Sequence, residues 1–118
     1  MALATDLNEF THFVAKPARG HGNVTGADNV VSWQTGYPFG VNFSKGYPRF
    51  NPGEFTTVDT LSRKEADAAV IIASDPVANF PKPAIEHITS DKCKLISIDT
   101  KQTPTSEAAH ISIQTSTY

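Results

Sequence analysis

The chain predicts an α/β fold in three layers, a mainly parallel sheet with helices on both faces. Three observations carry this. Ala68 to Ala73, with Val70, Ile71 and Ile72, is a continuous apolar run of the kind found in parallel strands buried on both sides. Lys94 to Ile98 reads as a second buried strand, and Ala109 to Ile113 as a short last one. Strands and helices alternate along the chain, the order that right-handed crossovers demand. At 118 residues, with no internal repeat and no flexible linker, one α/β domain over residues 1–118 is expected.

Taken in order, Ala2 to Phe10 sets Leu3, Leu7 and Phe10 on one helical face, and Thr11 to Ala15 reads as a short strand stopped by Pro17. Arg19 to Asp28 interleaves glycine with Arg, His and Asn. Val24, Ala27, Val30 and Val31 then have the spacing of a helix starting at about Thr25. From Gly36 to Gly53, four glycines, three prolines and several aromatics predict an ordered irregular excursion, since a structureless loop of this length is uncommon without a function. Tyr37, Phe39, Phe43, Tyr47 and Phe50 either anchor that excursion or wall a ligand. Thr56 to Lys64 suits a helix with Thr56 or Thr57 as N-cap and with Val58 and Leu61 inward. After the first buried strand comes Ser74-Asp75-Pro76. A helix over Pro83 to Ile88 follows, with Pro81 or Pro83 in its first turn, and then the second strand ending at Asp99. The closing polar segment from Gln114 should fray.

Composition excludes several classes. A charged fraction of 19% and a net charge of -2 supply no basic field for nucleic acid. No apolar run approaches the ~20 residues needed to span a bilayer, and Asp6 and Glu9 do not suit a signal or transit peptide. A cytoplasmic protein with neither nucleic acid nor membrane as partner is expected. Cys93 is the single cysteine and precedes an apolar run, so a buried thiol at a strand start is its expected place. His12, His21, His87 and His110 are scattered, so no metal site is expected from this chain alone.

Two segments carry candidate chemistry. In Arg19-Gly20-His21-Gly22-Asn23-Val24-Thr25-Gly26, glycines let the backbone approach a ligand closely, and the first N–H groups of the following helix point back at it. The loop is suited to an anion; the plainer reading is a glycine-rich turn before a capped helix. Asp75 and Asp99 fall at the carboxyl ends of neighbouring strands, where ligands of such sheets bind, and each can accept a pair of hydrogen bonds from a guanine or ribose edge. Thr103 and Thr105 add hydroxyls on the loop beyond the second strand. Singly, each of these residues suits turn or cap chemistry equally well. Arg49 is either an anion contact or a brace for carbonyls of its own loop. Glu54 is an acid, a partner for Arg49 or a helix-starting charge.

Gly36-Tyr37-Pro38-Phe39-Gly40, the block Phe43 to Glu54 and Ser74-Asp75-Pro76 together resemble the family of formylmethanofuran dehydrogenase B subunits, within the molybdopterin oxidoreductase superfamily. The likeness runs from about Leu7 to about Ile113 and covers an internal stretch of a much longer subunit, whose iron-sulfur and metal-ligating cysteines lie outside it. The resemblance implies a Rossmann-like domain and a molybdopterin guanine dinucleotide carrying tungsten or molybdenum. It further implies carbon dioxide reduction that feeds formylation of methanofuran in methanogenic archaea. Partners would be the remaining parts of the catalytic subunit and the other subunits of the enzyme. Ser74, Asp75, Pro76, Asp99, Thr103 and Thr105 match the pocket for the guanosine diphosphate arm, and Gly20, Gly22, Asn23 and Gly26 the contacts to the pterin. His21 would donate to a cofactor oxygen or cap the helix. Arg19 matches the active-site arginine, whose planar fork of donors suits a formate-like or carbon dioxide oxygen; the plainer readings are a surface arginine or a phosphate clamp. Two positions depart from the family: Ala73 stands where glycine usually precedes Ser-Asp-Pro, and Gln114 replaces a proline. The other class of function compatible with the length is a stand-alone nucleotide-binding or interaction module without turnover, since the isolated chain lacks what oxidoreduction requires.

Overall fold

The computed structural model describes residues 6–12 and 22–116. The expected strand at 11–15, together with Arg19, Gly20 and His21, therefore lies largely or wholly outside the described residues. Helix α1 spans Val24–Thr35, one residue earlier than the apolar spacing indicates. Asn23 caps it: its backbone is left-handed at φ 53°, and its side chain accepts a hydrogen bond from Gly26 N at 3.2 Å. Gly36, at φ 78°, ends the helix and returns its N–H to the Ser32 carbonyl. No residue of α1 is buried, and Trp33 is largely exposed.

The excursion that follows is irregular, as its glycines and prolines predict, apart from a two-residue ribbon pairing β1 (Val41–Asn42) with β2 (Arg49–Phe50). Side-chain contacts hold it. Tyr37 stacks on Phe50 at 5.4 Å, and Arg49 donates to Asn42 Oδ1 and Ser44 Oγ while its guanidinium lies over the Phe55 ring. Arg49 thus braces its own loop, and Glu54 accepts from Asn51 Nδ2. Phe39, Phe43 and Tyr47 stay exposed, so the anchoring is done by part of the aromatic set. Helix α2 (Thr57–Ser62) starts at Thr56, whose hydroxyl accepts from Asp59 N, and buries Leu61.

The sheet is three-stranded and parallel, in the order β3 (Ala68–Ile72), β4 (Lys94–Asp99), β5 (Ile111–Gln114). Between β3 and β4 lie α3 (Pro76–Asn79) and α4 (Lys82–Ile88); between β4 and β5 lies α5 (Pro104–Ala108). Neither α3 nor α5 is foreseen in the sequence, because four or five residues give too little periodicity. Each has proline in its first turn, where the missing N–H costs nothing.

The core gathers Leu61, Ala84, Ile88, Cys93 and Leu95, with Ala69, Ile71, Val77 and Phe80 against it. Ala69 pairs with Leu95 and Ile71 with Ser97, so these side chains share one face of the sheet. Cys93 is the buried thiol expected before β4, and burial, with Asp67 nearby, pushes its pKa up.

The expectation of strands buried on both faces is corrected here. Burial along β3 alternates, and Val70, Ile72, Ile111 and Ile113 are exposed on the opposite face. The reason is topological. The strands follow one another across the sheet without reversal, so crossovers of one hand fall on one side. Helices on both faces need a point where strand order reverses, and the described residues contain none.

Candidate functional site

All three parallel strands present their carboxyl ends on one edge. The chain leaves β3 through Ala73, Ser74 and Asp75, and leaves β4 through Asp99, Thr100 and Lys101. Gly22 comes to the same edge: a Cβ built on it would lie 2.6 Å from the Ala73 methyl. These groups, with Thr103, line a cavity of about 470 Å³. A second cavity of about 210 Å³ shares Asp99 and Lys101 and continues past Ser106, Ser112 and Gln114. The glycine loop and the two strand ends, remote in sequence, are therefore parts of one cleft.

Each strand-end carboxylate is held by one oxygen. Asp99 Oδ1 accepts from Thr100 N at 2.7 Å and from Lys101 N at 3.4 Å. Asp75 Oδ1 accepts from Thr105 N at 3.1 Å and from Thr105 Oγ1 at 2.6 Å. Every hydrogen bond these two carboxylates make among the described residues goes to Oδ1. Ser74 lines the cavity, and its hydroxyl has no protein partner among the described residues.

Thr105 differs from its sequence-based reading as a ligand contact. It is fully buried in α5; its hydroxyl donates to Asp75 and accepts from Val77 N at 3.0 Å. Through that pair it ties α5 to α3 and fixes the Asp75 rotamer, which is positioning and not contact. Pro76 is likewise buried, as the first residue of α3. Thr103 borders the cavity as N-cap of α5 in a reciprocal capping box: it accepts from Ser106 N, and its own N–H donates to Ser106 Oγ at 2.7 Å. Asn23 and Gly26 engage one another at the α1 N-terminus, and only Gly22 of the glycine loop's described residues lines the larger cavity. Thr100 and Lys101 are cavity residues that sequence reasoning passed over. Their signal was available, since they directly follow the buried strand ending at Asp99.

Ala73 sits at φ 49°, a left-handed backbone that costs a side-chain-bearing residue about 1–2 kcal/mol. Its N–H still extends the sheet by donating to the Ile98 carbonyl at 2.9 Å. Among the described residues, no three His, Cys, Asp or Glu side chains converge as a metal site would require. No helix in the described residues is long and apolar enough to cross a membrane.

Comparison with known proteins gives this cleft its context. The chain is 52% identical over 111 residues to the B subunit of the tungsten-containing formylmethanofuran dehydrogenase 2 of Methanocaldococcus jannaschii, covering 94% of the chain and 25% of that protein. Against the corresponding protein of the same name from Methanococcus maripaludis it is 47% identical over 106 residues, covering 90% of the chain and 24% of that protein. The chain is homologous to part of the formylmethanofuran dehydrogenase B subunit. It spans about a quarter of the length of the curated relatives it matches. No family profile matches the chain. The homology to the B subunit extends over almost the whole chain, so the irregular excursion and the strand-end cleft belong to the shared region alike.

Proposed function

We propose that this chain is a cofactor-cradling segment of a formylmethanofuran dehydrogenase catalytic subunit, a single α/β domain whose strand-end cleft takes the guanosine diphosphate arm of molybdopterin guanine dinucleotide. The observation that carries the reading is the convergence of Gly22, Ser74, Asp75, Asp99 and Lys101 on one cavity of about 470 Å³ at the carboxyl ends of parallel strands. The donor set suits such a tail. Two carboxylates accept the paired N–H groups of a guanine edge or the hydroxyls of ribose. The Lys101 ammonium and the Ser74 hydroxyl suit phosphate oxygens, and Gly22 permits a close approach of backbone.

In this reading Asp99 reads the base or sugar with its carboxylate pre-oriented by the Thr100 and Lys101 N–H groups, and Thr105 holds Asp75 in place from behind. The bound group would supply the tungsten or molybdenum centre at which carbon dioxide and formate interconvert. Arg19, with Gly20 and His21, belongs to the glycine loop upstream of Gly22; its guanidinium is proposed to hold and orient a carboxylate-like oxygen in the complete subunit. Metal ligation and electron transfer fall to residues outside this chain, and the remaining parts of the catalytic subunit and its sister subunits are the proposed partners.

Calorimetry with guanine nucleotides tests the cleft directly. GDP should bind the 118-residue chain weakly, because the rest of the cradle and the ordering of its loops are missing. Asp99→Ala should weaken it about tenfold or more, the scale of one hydrogen bond to a charged group. ADP should compete poorly. Equal affinity for both bases, or indifference to Asp99→Ala, refutes the assignment.

A further inference from the structure

The start of β5 is joined to β4 by a histidine ring standing where a carbonyl would ordinarily serve. The Leu95 carbonyl of β4 accepts from His110 N at 2.9 Å. A regular parallel ladder would then send the Leu95 N–H to the carbonyl two positions before His110, that of Ala108. Ala108 is still helical, as the last residue of α5. The Leu95 N–H donates instead to His110 Nδ1, at 3.1 Å. A backbone N–H can only donate, so Nδ1 is the acceptor and the ring proton sits on Nε2. Leu95 is fully buried, so water is not at hand to replace the ring as its partner.

We propose that His110 is an acid-sensitive latch on β5: the neutral imidazole closes the first rung of the β4–β5 ladder, and a proton on Nδ1 opens it. An imidazolium carries N–H at both nitrogens and would set a donor against the Leu95 donor. The rung is therefore present at neutral and alkaline pH and lost on acidification. Little else holds the strand. β5 is an edge strand of four residues, all exposed, so its ladder and not apolar burial keeps it in place. Its far end belongs to the cleft. Ser112 and Gln114 line the cavity of about 210 Å³ with Asp99 and Lys101, Gln114 Nε2 donates to the Thr100 carbonyl at 3.4 Å, and Thr115 N donates to the Asp99 carbonyl at 2.9 Å. Loosening β5 from its start takes a wall from that cavity, whatever the cavity binds. The titratable and charged groups on the elements around the ring are Glu107 on α5, Lys94 and Asp99 on β4 with Cys93 just before it, and the buried His87 of α4, whose Nε2 meets the Ala66 carbonyl at 2.8 Å. β5 itself has none. Among the described residues the His110 ring bonds Leu95 N alone, and the ion pairs Arg63–Glu65 and Lys82–Glu86 lie elsewhere, so the ring's own proton decides the rung.

Amide hydrogen exchange in the 118-residue chain, corrected for the intrinsic rate at each pH, reads the latch. Between about pH 8 and about pH 5.5, where imidazole takes up its proton, protection of the Leu95 and His110 amides should fall about tenfold or more, the scale of one buried N–H left without a partner. The Lys94 amide, which donates to the Asp67 carbonyl on the β3 side, should keep its protection. His110→Asn offers an uncharged acceptor oxygen at the same branch point and should hold Leu95 protected at both pH values. His110→Ala should leave it poorly protected at both. Nitrogen NMR of the unaltered chain gives a reading that needs no variant: at about pH 8 the ring should carry its proton on Nε2 and leave Nδ1 bare. A proton on Nδ1 at that pH overturns the proposal. So does Leu95 protection that ignores pH, an acid loss shared equally by Lys94, or the same acid loss in His110→Asn, which would place the sensitive group elsewhere. No nucleotide enters the measurement, so its outcome is independent of what the cleft binds.

Discussion

The contact between Gly22 and Ala73 is where the cleft's two halves meet, and it can be tested by a four-protein cycle. A methyl placed on Gly22 would stand 2.6 Å from the Ala73 Cβ, whereas carbon atoms pack at about 3.5–4.0 Å. Gly22→Ala therefore forces one segment back by roughly 1 Å, an overpacking cost of about 1–3 kcal/mol. Ala73→Gly acts in the opposite direction. It releases a residue at φ 49°, worth about 1–2 kcal/mol, while the freer unfolded chain takes back about 0.4–1 kcal/mol. That single change should be neutral or stabilising by up to about 1.6 kcal/mol. Combined, the two should show a coupling of about 1–3 kcal/mol, because Gly22→Ala meets no opposing carbon once Ala73→Gly has been made. Urea unfolding of the four proteins measures the cycle, and about 4 °C in melting midpoint per kcal/mol is expected for a chain of this length. Strict additivity, or a Gly22→Ala variant as stable as the parent, would mean that the glycine loop does not rest on the strand end. The shared cleft would then lose its floor.

Other expectations follow from the same geometry. Thr105→Val keeps the shape of a fully buried side chain but removes the hydroxyl that serves Asp75 and Val77 N, so it should cost about 1–3 kcal/mol in urea unfolding and weaken GDP binding by releasing Asp75. Cys93 should react with a thiol reagent slowly in the folded chain and fast in denaturant. Its raised pKa means the folded state keeps the proton longer than the unfolded one. Its contribution to stability is therefore fully present below the ordinary thiol range and lost as pH climbs from there through the raised folded value, a loss that Cys93→Ala should abolish in pH-dependent unfolding. In a complete enzyme carrying this segment, Arg19→Lys should lower turnover per bound metal, because an ammonium keeps the charge but loses the planar fork. Normal turnover per metal with reduced cofactor content would instead make Arg19 a cofactor clamp.

Much of this molecule is legible in its sequence, because local chemistry writes it there. The apolar run ending in Val70-Ile71-Ile72 specifies β3, Leu95, Ile96 and Ile98 mark β4, the 3.6-residue spacing from Val24 specifies α1, and Thr56 announces α2. Asp75 and Asp99 are marked by their places at strand ends, while Arg49 braces its own loop through the side-chain oxygens of Asn42 and Ser44 and not through the loop carbonyls expected of it. What tertiary structure alone decided is everything that depends on direction and on distant partners. An apolar run reveals that a strand wants burial but not which faces receive helices; strand order settles that, and here it leaves Val70 and Ile72 bare. Thr105 looks like a ligand hydroxyl until folding sets it against Asp75, thirty positions away, and buries it. Gly22 and Ala73 are about fifty positions apart, and no periodicity connects them. Their contact exists because two chain segments converge on one sheet edge, and such convergence is a property of the folded chain as a whole.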